Sequence, residues 1–504
     1  MRNNLRKSLL ENISGDGIVM LGAVLYLIIP IALFMLGWVR LWLALPFCAV
    51  LIFFIYRIMP AFNCQKDRLF SRANRSYWMF TSMIGAFWTY LSGIGGLVYQ
   101  NEDFVGRNPM FRDLSTYEWP MFYDLSYASD LVREYCGDET VGFSYYFTWW
   151  LPSSWLAKVF DLSENARNFL LGLWAFIGIM LVIYILNRLI GKCSYIVPTI
   201  LIFFSGLDII PYLIKNGWPG TVHIEWWAEF FQYSSNTTQI FWVFNQTIPL
   251  WIITGIFLLL KKDNRYMAAL LSLAFAYSPW ATICLVPLAI AGSIGRRAKF
   301  SRVFNVANIA VPAVMLTVFG LFYMSGSGAE GTYGFLFITY LGMWKYLFAN
   351  YFVFIIVEFL IYFFVLGKHV IKEPYFLIVI TELMVLPMIT IRDFNFTMRG
   401  CIPALFILMY YVIDYLVHNY SGKNELIRRR VLIIVLCIGA ITPTIEITRT
   451  VRATMLNEPR LIKDDVYSFG DMQTDSDMMI ELYRDQFFVY DYEETPFYKY
   501  IGKY

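Results

Sequence analysis

Residues 143–160 read FSYYFTWWLPSSWLAKVF, and how this segment lies against a membrane decides the fold. It is apolar enough to pass for a span, yet it is short, interrupted by Pro152 and crowded with Tyr and Trp. Such rings favour the headgroup level of a bilayer. Counted as a crossing, the segment puts the basic loops at 261–265 and 423–430 outside, against the bias of Lys and Arg toward the cytoplasmic side. Laid flat along the outer surface, it returns the chain to the side where it began, and the conflict disappears.

Of the 504 residues, 58% are hydrophobic and 15% are charged, with a mean hydropathy of +0.55. Soluble chains carry about 25% charged residues. This balance excludes a soluble enzyme, a disordered chain and a secreted domain with a small membrane tail. A net charge of +3, with no basic run interleaved with aromatics, argues against nucleic acid as a partner. The seven cysteines have no metal or redox spacing; Cys48, Cys284, Cys401 and Cys437 lie in apolar runs, where free cysteine packs as a small hydrophobe. The leading MRNNLRK precedes an apolar stretch with no small-residue cleavage pattern after it, which reads as an uncleaved anchor.

The other apolar runs are 17–38, 41–57, 78–98, 168–187, 193–213, 240–260, 266–295, 303–324, 346–366, 375–391, 401–417 and 431–447. Lipid satisfies no backbone polar group, so each run is expected to be helical. The long run 266–295 reads as a hairpin of two short helices turning at Tyr277-Ser278-Pro279-Trp280. Every strongly basic loop then falls inside, and those loops hold more than half of the 40 Lys and Arg. The expectation is an all-α polytopic protein of about 13 transmembrane helices in the plasma membrane, with a cytoplasmic N-terminus and an extracellular or periplasmic C-terminus. Residues 1–447 form the membrane domain, with outer pieces at 99–167 and 214–239, and 448–504 form an outer tail.

Polar sequence is concentrated in those outer pieces. After the run 78–98 comes QNEDFVGRNPMFRD, placing Glu102 and Asp103 close to the membrane and followed by Arg107, Asn108, Arg112 and Asp113. A carboxylate at that height can take a proton from a hydroxyl, although most such acids are solvated loop residues. Asp208 closes FFSGLD near the outer end of its run, and acids so placed face a cavity or a partner. The loop 214–239 adds His223, Glu225, Trp226, Trp227 and Glu229, while Ser234 to Thr238 offers hydroxyls. The chain has three histidines, and His369 and His418 fall inside, which excludes a histidine-rich metal site. Arg392 and Arg399 flank an outer turn, and their planar forks suit phosphate, with a structural pair to Asp393 as the simpler account. Glu358 and Glu382 lie inside helical runs. No phosphate loop, GxSxG elbow, HExxH helix or CxxC pair stands in a sensible context.

This layout resembles the GT-C superfamily of membrane glycosyltransferases that use polyprenyl-phosphate sugars, especially the branch of protein O-mannosyltransferases and lipid A aminoarabinose transferases. The acidic pair Glu102-Asp103 opening the first long outer loop, the aromatic-proline segment 143–160, the turn NRLIGK and the later FFSGLD carry the resemblance. The pair reads Glu-Asp where the branch has Asp-Glu. The resemblance implies a GT-C-like bundle, a polyprenyl-phosphate sugar donor and an acceptor that is a surface glycan, lipid or protein. It implies Asp103 as base, Arg107, Arg392 and Arg399 as receivers of the leaving phosphate, and Asp208 and Glu102 as residues that orient the acceptor or hold a divalent cation. Asn108, His223 and Glu225 join the substrate-binding set. A transporter or flippase is the rival expectation, resting on Glu358 and Glu382 and predicting charge near the bilayer midplane. A polysaccharide polymerase or ligase would share the same membrane face.

Overall fold

Apolar runs become helices throughout the computed structural model, which describes residues 15–63, 69–137, 139–261, 263–294, 300–326, 332–391, 395–418, 422–456, 468–469 and 486–504. Among the described residues seven helices are long and apolar enough to cross a membrane: Gly15–Trp38, Leu41–Phe62, Glu164–Ile190, Asn236–Leu259, Val306–Ser325, Leu341–Val370 and Lys423–Met455. Pro279–Ser293, Pro374–Met388 and Ile402–Val417 are apolar but shorter. The chain is therefore all-α in class and has the helices of a membrane protein. Among the described residues the only strands are five short ones.

The expected thirteen crossings are not reached as thirteen continuous helices, and the breaks have local causes. The run 78–98 is helical only to Leu91. The run 193–213 divides into Ile196–Phe203 and Ile209–Asn216. Between them the backbone finds partners elsewhere: Leu207 N–H donates to the Val357 carbonyl at 3.1 Å, and the Ser205 carbonyl accepts from the Tyr362 hydroxyl at 2.6 Å. Those bonds satisfy groups that a helix would otherwise have to pair. The run 266–295 forms Met267–Ala274 and Pro279–Ile294, parted at Phe275–Ser278. Asn305 reaches the Arg265 carbonyl at 2.8 Å, so the chain returns to the end it left, as a hairpin must.

Residues 143–160 contain a nine-residue helix, Leu151–Val159. At 1.5 Å per residue it spans roughly 14 Å, about half the ~30 Å of a bilayer core. Pro152 sits in its first turn, where a missing N–H costs nothing.

The basic loops gather at one end of the bundle. Tyr266 donates to the Arg57 carbonyl at 2.6 Å, Arg188 to the Phe62 carbonyl at 2.6 Å and Lys192 to the Val417 carbonyl at 3.2 Å. Lys261 lies 3.6 Å from Glu373. The pieces expected outside gather at the other end. Strand Thr140–Phe143 pairs with Phe122–Asp124 on one side and with Phe488–Val489 of the tail on the other. Arg40 donates to the carbonyls of Gly502, Tyr498 and Lys499, which fixes the last residues to the turn between the first two helices. Asp113, fully buried, accepts from Tyr123, Ser468, the Phe469 N–H and Arg112 at 2.9–3.2 Å, tying the tail to the first outer loop.

Candidate functional site

Helix Asn236–Leu259 organises the polar residues at this end. Its first turn is capped by Ser235, whose hydroxyl accepts from the Thr238 N–H at 3.1 Å. Inside it Val243 leaves helical geometry, with φ −135° and ψ 36°. On one side of that kink Phe244 meets Arg107 of the segment 99–167, and on the other Trp242 meets His223 of the segment 214–239.

The first group surrounds the short helix Phe104–Thr116. Asn101 anchors its start by donating to the Phe241 carbonyl at 2.8 Å and accepting from the Asp103 N–H at 3.1 Å. Asp103 and Arg107, one helical turn apart, pair at 2.5 Å; the Asp103 side chain is 39% exposed and the Arg107 side chain 7%. Arg107 lies against the rings of Phe104 and Phe244, and its Nη1 has no hydrogen-bond partner. Asn108 does not join the pair: its amide donates to Gln100 at 2.8 Å. Glu102 is exposed and, among the described residues, makes no ion pair. Tyr145, from the segment 143–160, lies within reach of the charges of both Arg107 and the half-buried Arg399 of helix Asn395–Gly400. Burial pushes the Tyr145 hydroxyl up, while the charges of Arg399 and Arg107 pull it down. Arg392 lies outside the described residues.

The second group is buried and more crowded. Asp208 accepts from Trp227 Nε1 at 3.0 Å, Ser205 at 3.1 Å and Thr442 at 3.3 Å. Glu358 approaches this group from a π-helical turn, Ile356–Leu360, whose Val357 carbonyl accepts from the Leu207 N–H. Glu358 is 3% exposed, and its Oε1 has no hydrogen-bond partner. Gly206 admits this carboxyl, since a Cβ there would stand 2.0 Å from Glu358 Oε2. Glu225 accepts from the Ser235 N–H at 2.9 Å and the Thr238 hydroxyl at 2.6 Å, adding charge where helix Asn236–Leu259 begins. His223 stands 3.8 Å from Glu225 and 2.5 Å from Glu446, which also pairs with Arg449 at 2.8 Å.

Burial raises the Glu225 carboxyl to about 7; His223 opposes this, and the charges of Asp208 and Glu446 add to it. Burial alone would lower His223, but the hydrogen bond and charge of Glu446, with the charge of Glu225, raise it on balance. Glu446, bonded at Nδ1, and the Glu225 carboxyl 3.8 Å from Nε2 favour the imidazolium.

The residues singled out in the sequence therefore divide. Asp103, Arg107 and Arg399 act around Tyr145; Asp208, His223 and Glu225 belong to the second group; Asn108 and Glu102 serve neither directly. Glu446, Arg449 and Thr442 were not among the expected residues. Their signal was an acid with a basic residue three positions on, in ITPTIEITR, at the end of an apolar run. A cavity of about 270 Å³ opens between the second outer loop and the helix carrying Arg399, lined by Glu229, Phe230, Leu336, Tyr340, Pro387 and Thr397 among others. None of the carboxyls of the second group lines it.

The residues do not fit a divalent cation at Asp208 or Glu102. The Asp208 oxygens already accept from an indole N–H and two hydroxyls, while Glu102 is exposed. Among the described residues no three His, Cys, Asp or Glu side chains converge as ion ligands.

The arrangement defines an all-α chain with membrane-length helices and two polar groups at the end opposite its basic loops. No family model, curated protein or solved structure matches the chain.

Proposed function

We propose that this protein is a glycosyltransferase of the GT-C kind, moving a sugar from a polyprenyl-phosphate donor to a surface glycan, lipid or protein acceptor. In this reading the basic end of the bundle is cytoplasmic, and the reaction takes place at the outer face of the plasma membrane. One observation carries the reading: the half-exposed Asp103 carboxylate is held by a buried Arg107 that keeps an N–H unpartnered.

Asp103 accepts the proton of the acceptor hydroxyl as its oxygen attacks the anomeric carbon. The bond from that carbon to the phosphate oxygen breaks, and the electron pair leaves on the lipid phosphate. Charge developing there needs fixed positive groups already in place. Arg107 supplies its open N–H, and Arg399, whose charge reaches the same Tyr145 hydroxyl, supplies a second guanidinium. Direct displacement inverts the anomeric centre.

The test is Asp103→Asn in the native host at unchanged protein level, followed by mass spectrometry of surface glycans and lipid-linked sugars. The substitution keeps size and removes the base. Loss of one surface sugar with accumulation of its polyprenyl-phosphate donor is the expected result. An unchanged glycan profile, beside a clear defect in a deletion strain, rules out Asp103 as base. The transporter or flippase reading would then lead, because Glu358 is a buried acid within a membrane-length helix.

A further inference from the structure

Helix Lys423–Met455 begins at the basic end of the bundle, with Arg428 to Arg430 in its first turns, and carries two further arginines at its other end. Arg449 and Arg452 are three positions apart, which sets them side by side on one face. Arg449 donates from Nη2 to Glu446 at 2.8 Å and lies against the Trp242 ring, while its buried Nε has no hydrogen-bond partner. Arg452 is exposed, and among the described residues it makes no ion pair. Its guanidinium reaches only the Thr221 hydroxyl, at 3.4 Å.

Exposed apolar side chains stand on both sides of Arg452. Met455 and Leu456 follow it by three and four positions, and Val222 adjoins Thr221. Trp226, edge-on to His223 at 4.8 Å, is exposed as well. The short helix Ile209–Asn216 leads into this rim and exposes Ile210, Leu213 and Ile214, the spacing of one helical face. A helix with such a face lies in the plane of a membrane surface. A permanent cation set among exposed apolar side chains matches a ligand divided in the same way, an anion joined to hydrocarbon. Phosphate is the anion that membrane lipids carry, and a guanidinium fork meets two of its oxygens at once.

We infer that Arg452, with Arg449 beside it, binds the phosphate of a membrane lipid in the leaflet opposite the basic loops, its chains against Val222, Trp226, Met455 and Leu456. The inference goes beyond the transferase reading and does not depend on it, since a phospholipid of the surrounding bilayer meets its terms.

Arg452 makes the contact, and Arg449 adds charge from one turn back. Glu446 does not cancel that charge, because it is divided between Arg449 and His223. The site stands close to the first polar group without sharing its residues. Thr454, two positions beyond Arg452, accepts from the Tyr99 N–H at 2.9 Å, and Tyr99 is four positions before Asp103.

Native mass spectrometry of the purified full-length protein in detergent tests the site. The probes are dioleoyl phosphatidylglycerol, dioleoylglycerol, which has the same chains without phosphate, and inorganic phosphate. The wild type should bind phosphatidylglycerol saturably, and Arg452→Gln should weaken one of its bound lipids by about tenfold, as loss of a charge-assisted contact does. Arg452→Lys should fall between the two, and Arg430→Gln, at the basic end, should match the wild type. Equal phosphatidylglycerol binding by Arg452→Gln and the wild type overturns the inference. Dioleoylglycerol bound as tightly as phosphatidylglycerol shows that chains alone are recognised, and inorganic phosphate bound as tightly shows that they are not needed; either result overturns it too. The comparison of the three probes on the wild type decides the matter even if Arg452→Gln does not fold.

Discussion

Arg107 and Arg449 each lie against an aromatic ring of one helix, on opposite sides of the Val243 kink. Arg107 stands 5.3 Å from the centre of Phe244 and Arg449 stands 5.5 Å from that of Trp242. Their acids differ. Among the described residues Asp103 has Arg107 as its only ion-pair partner and reaches solvent, whereas Glu446 pairs with both His223 and Arg449 and is 1% exposed. A carboxylate of the first kind can accept a proton from a bound hydroxyl. One of the second kind is fixed in a network whose members hold one another's charge. The contrast separates a place for chemistry on an external substrate from a place that stores charge within the fold.

The sharpest way to break this comparison is to remove the acid that closes the buried network. Glu446→Ala leaves His223 and Arg449 without their shared carboxylate. Breaking a buried ion pair from one side costs about 3–5 kcal/mol. Thermal denaturation in detergent should show that loss, whereas Asp103→Ala, which removes a carboxylate that reaches solvent, should cost less. Equal losses from the two would mean that the groups are not built differently.

Activity should respond the other way round. Arg107→Ala is expected to lower sugar transfer by about 10²–10³-fold, the usual effect of losing one donor to a developing oxyanion. Arg107→Lys should recover part of this, since the charge remains but the fork that meets both Asp103 and a phosphate does not. Transfer from a polyprenyl-phosphate sugar in isolated membranes is the measurement. A rate unchanged by Arg107→Ala removes the first group from the reaction.

The pH dependence of stability sharpens the contrast further. The Glu225 carboxyl stands at about 7 in the folded protein, above its ordinary value of 4.5. A raised acid lends stability that is complete below about 4.5 and is lost as pH climbs toward about 7. Denaturation temperatures should therefore fall across that window. Glu225→Gln should flatten the fall without abolishing it, because His223 is also raised and acts in the same direction. A profile that rises with pH between those limits would show Glu225 ionised and stabilised in the fold.

Much of this fold was legible in the sequence because hydropathy and charge bias are local quantities. The apolar runs, the hairpin within 266–295, whose turn falls at 275–278 rather than at the expected 277–280, and the gathering of basic loops at one end follow from them. What stayed hidden is long-range. His223 and Glu446 are 223 positions apart, and no local pattern joins them. Gly206 and Glu358 meet only because one helix yields at Phe204 and another carries a π-helical turn. The tail, read as an outer appendage, puts its last residues against Trp38 and Arg40, a contact decided by backbone carbonyls rather than by residue type. The site was half legible for the same reason: Asp103 and Arg107 are one helical turn apart, whereas Arg399 joins them only through tertiary packing.

Glu382 supplies the smallest expected effect and the most discriminating one. Like Glu358 it is a buried acid in an apolar helix, at 9% exposure, but neither of its oxygens has a hydrogen-bond partner. A carboxyl so placed persists only in its neutral form, because nothing nearby offsets a charge. Gln has nearly the same size and is neutral, so Glu382→Gln exchanges one unpartnered neutral polar group for another and should change stability by about 1 kcal/mol or less. On the transferase reading it should also leave sugar transfer unchanged. A transporter would need Glu382 to change its charge during the cycle, and an amide cannot do that. Loss of function in Glu382→Gln at full stability would therefore move the working chemistry from the Asp103–Arg107 pair into the bundle.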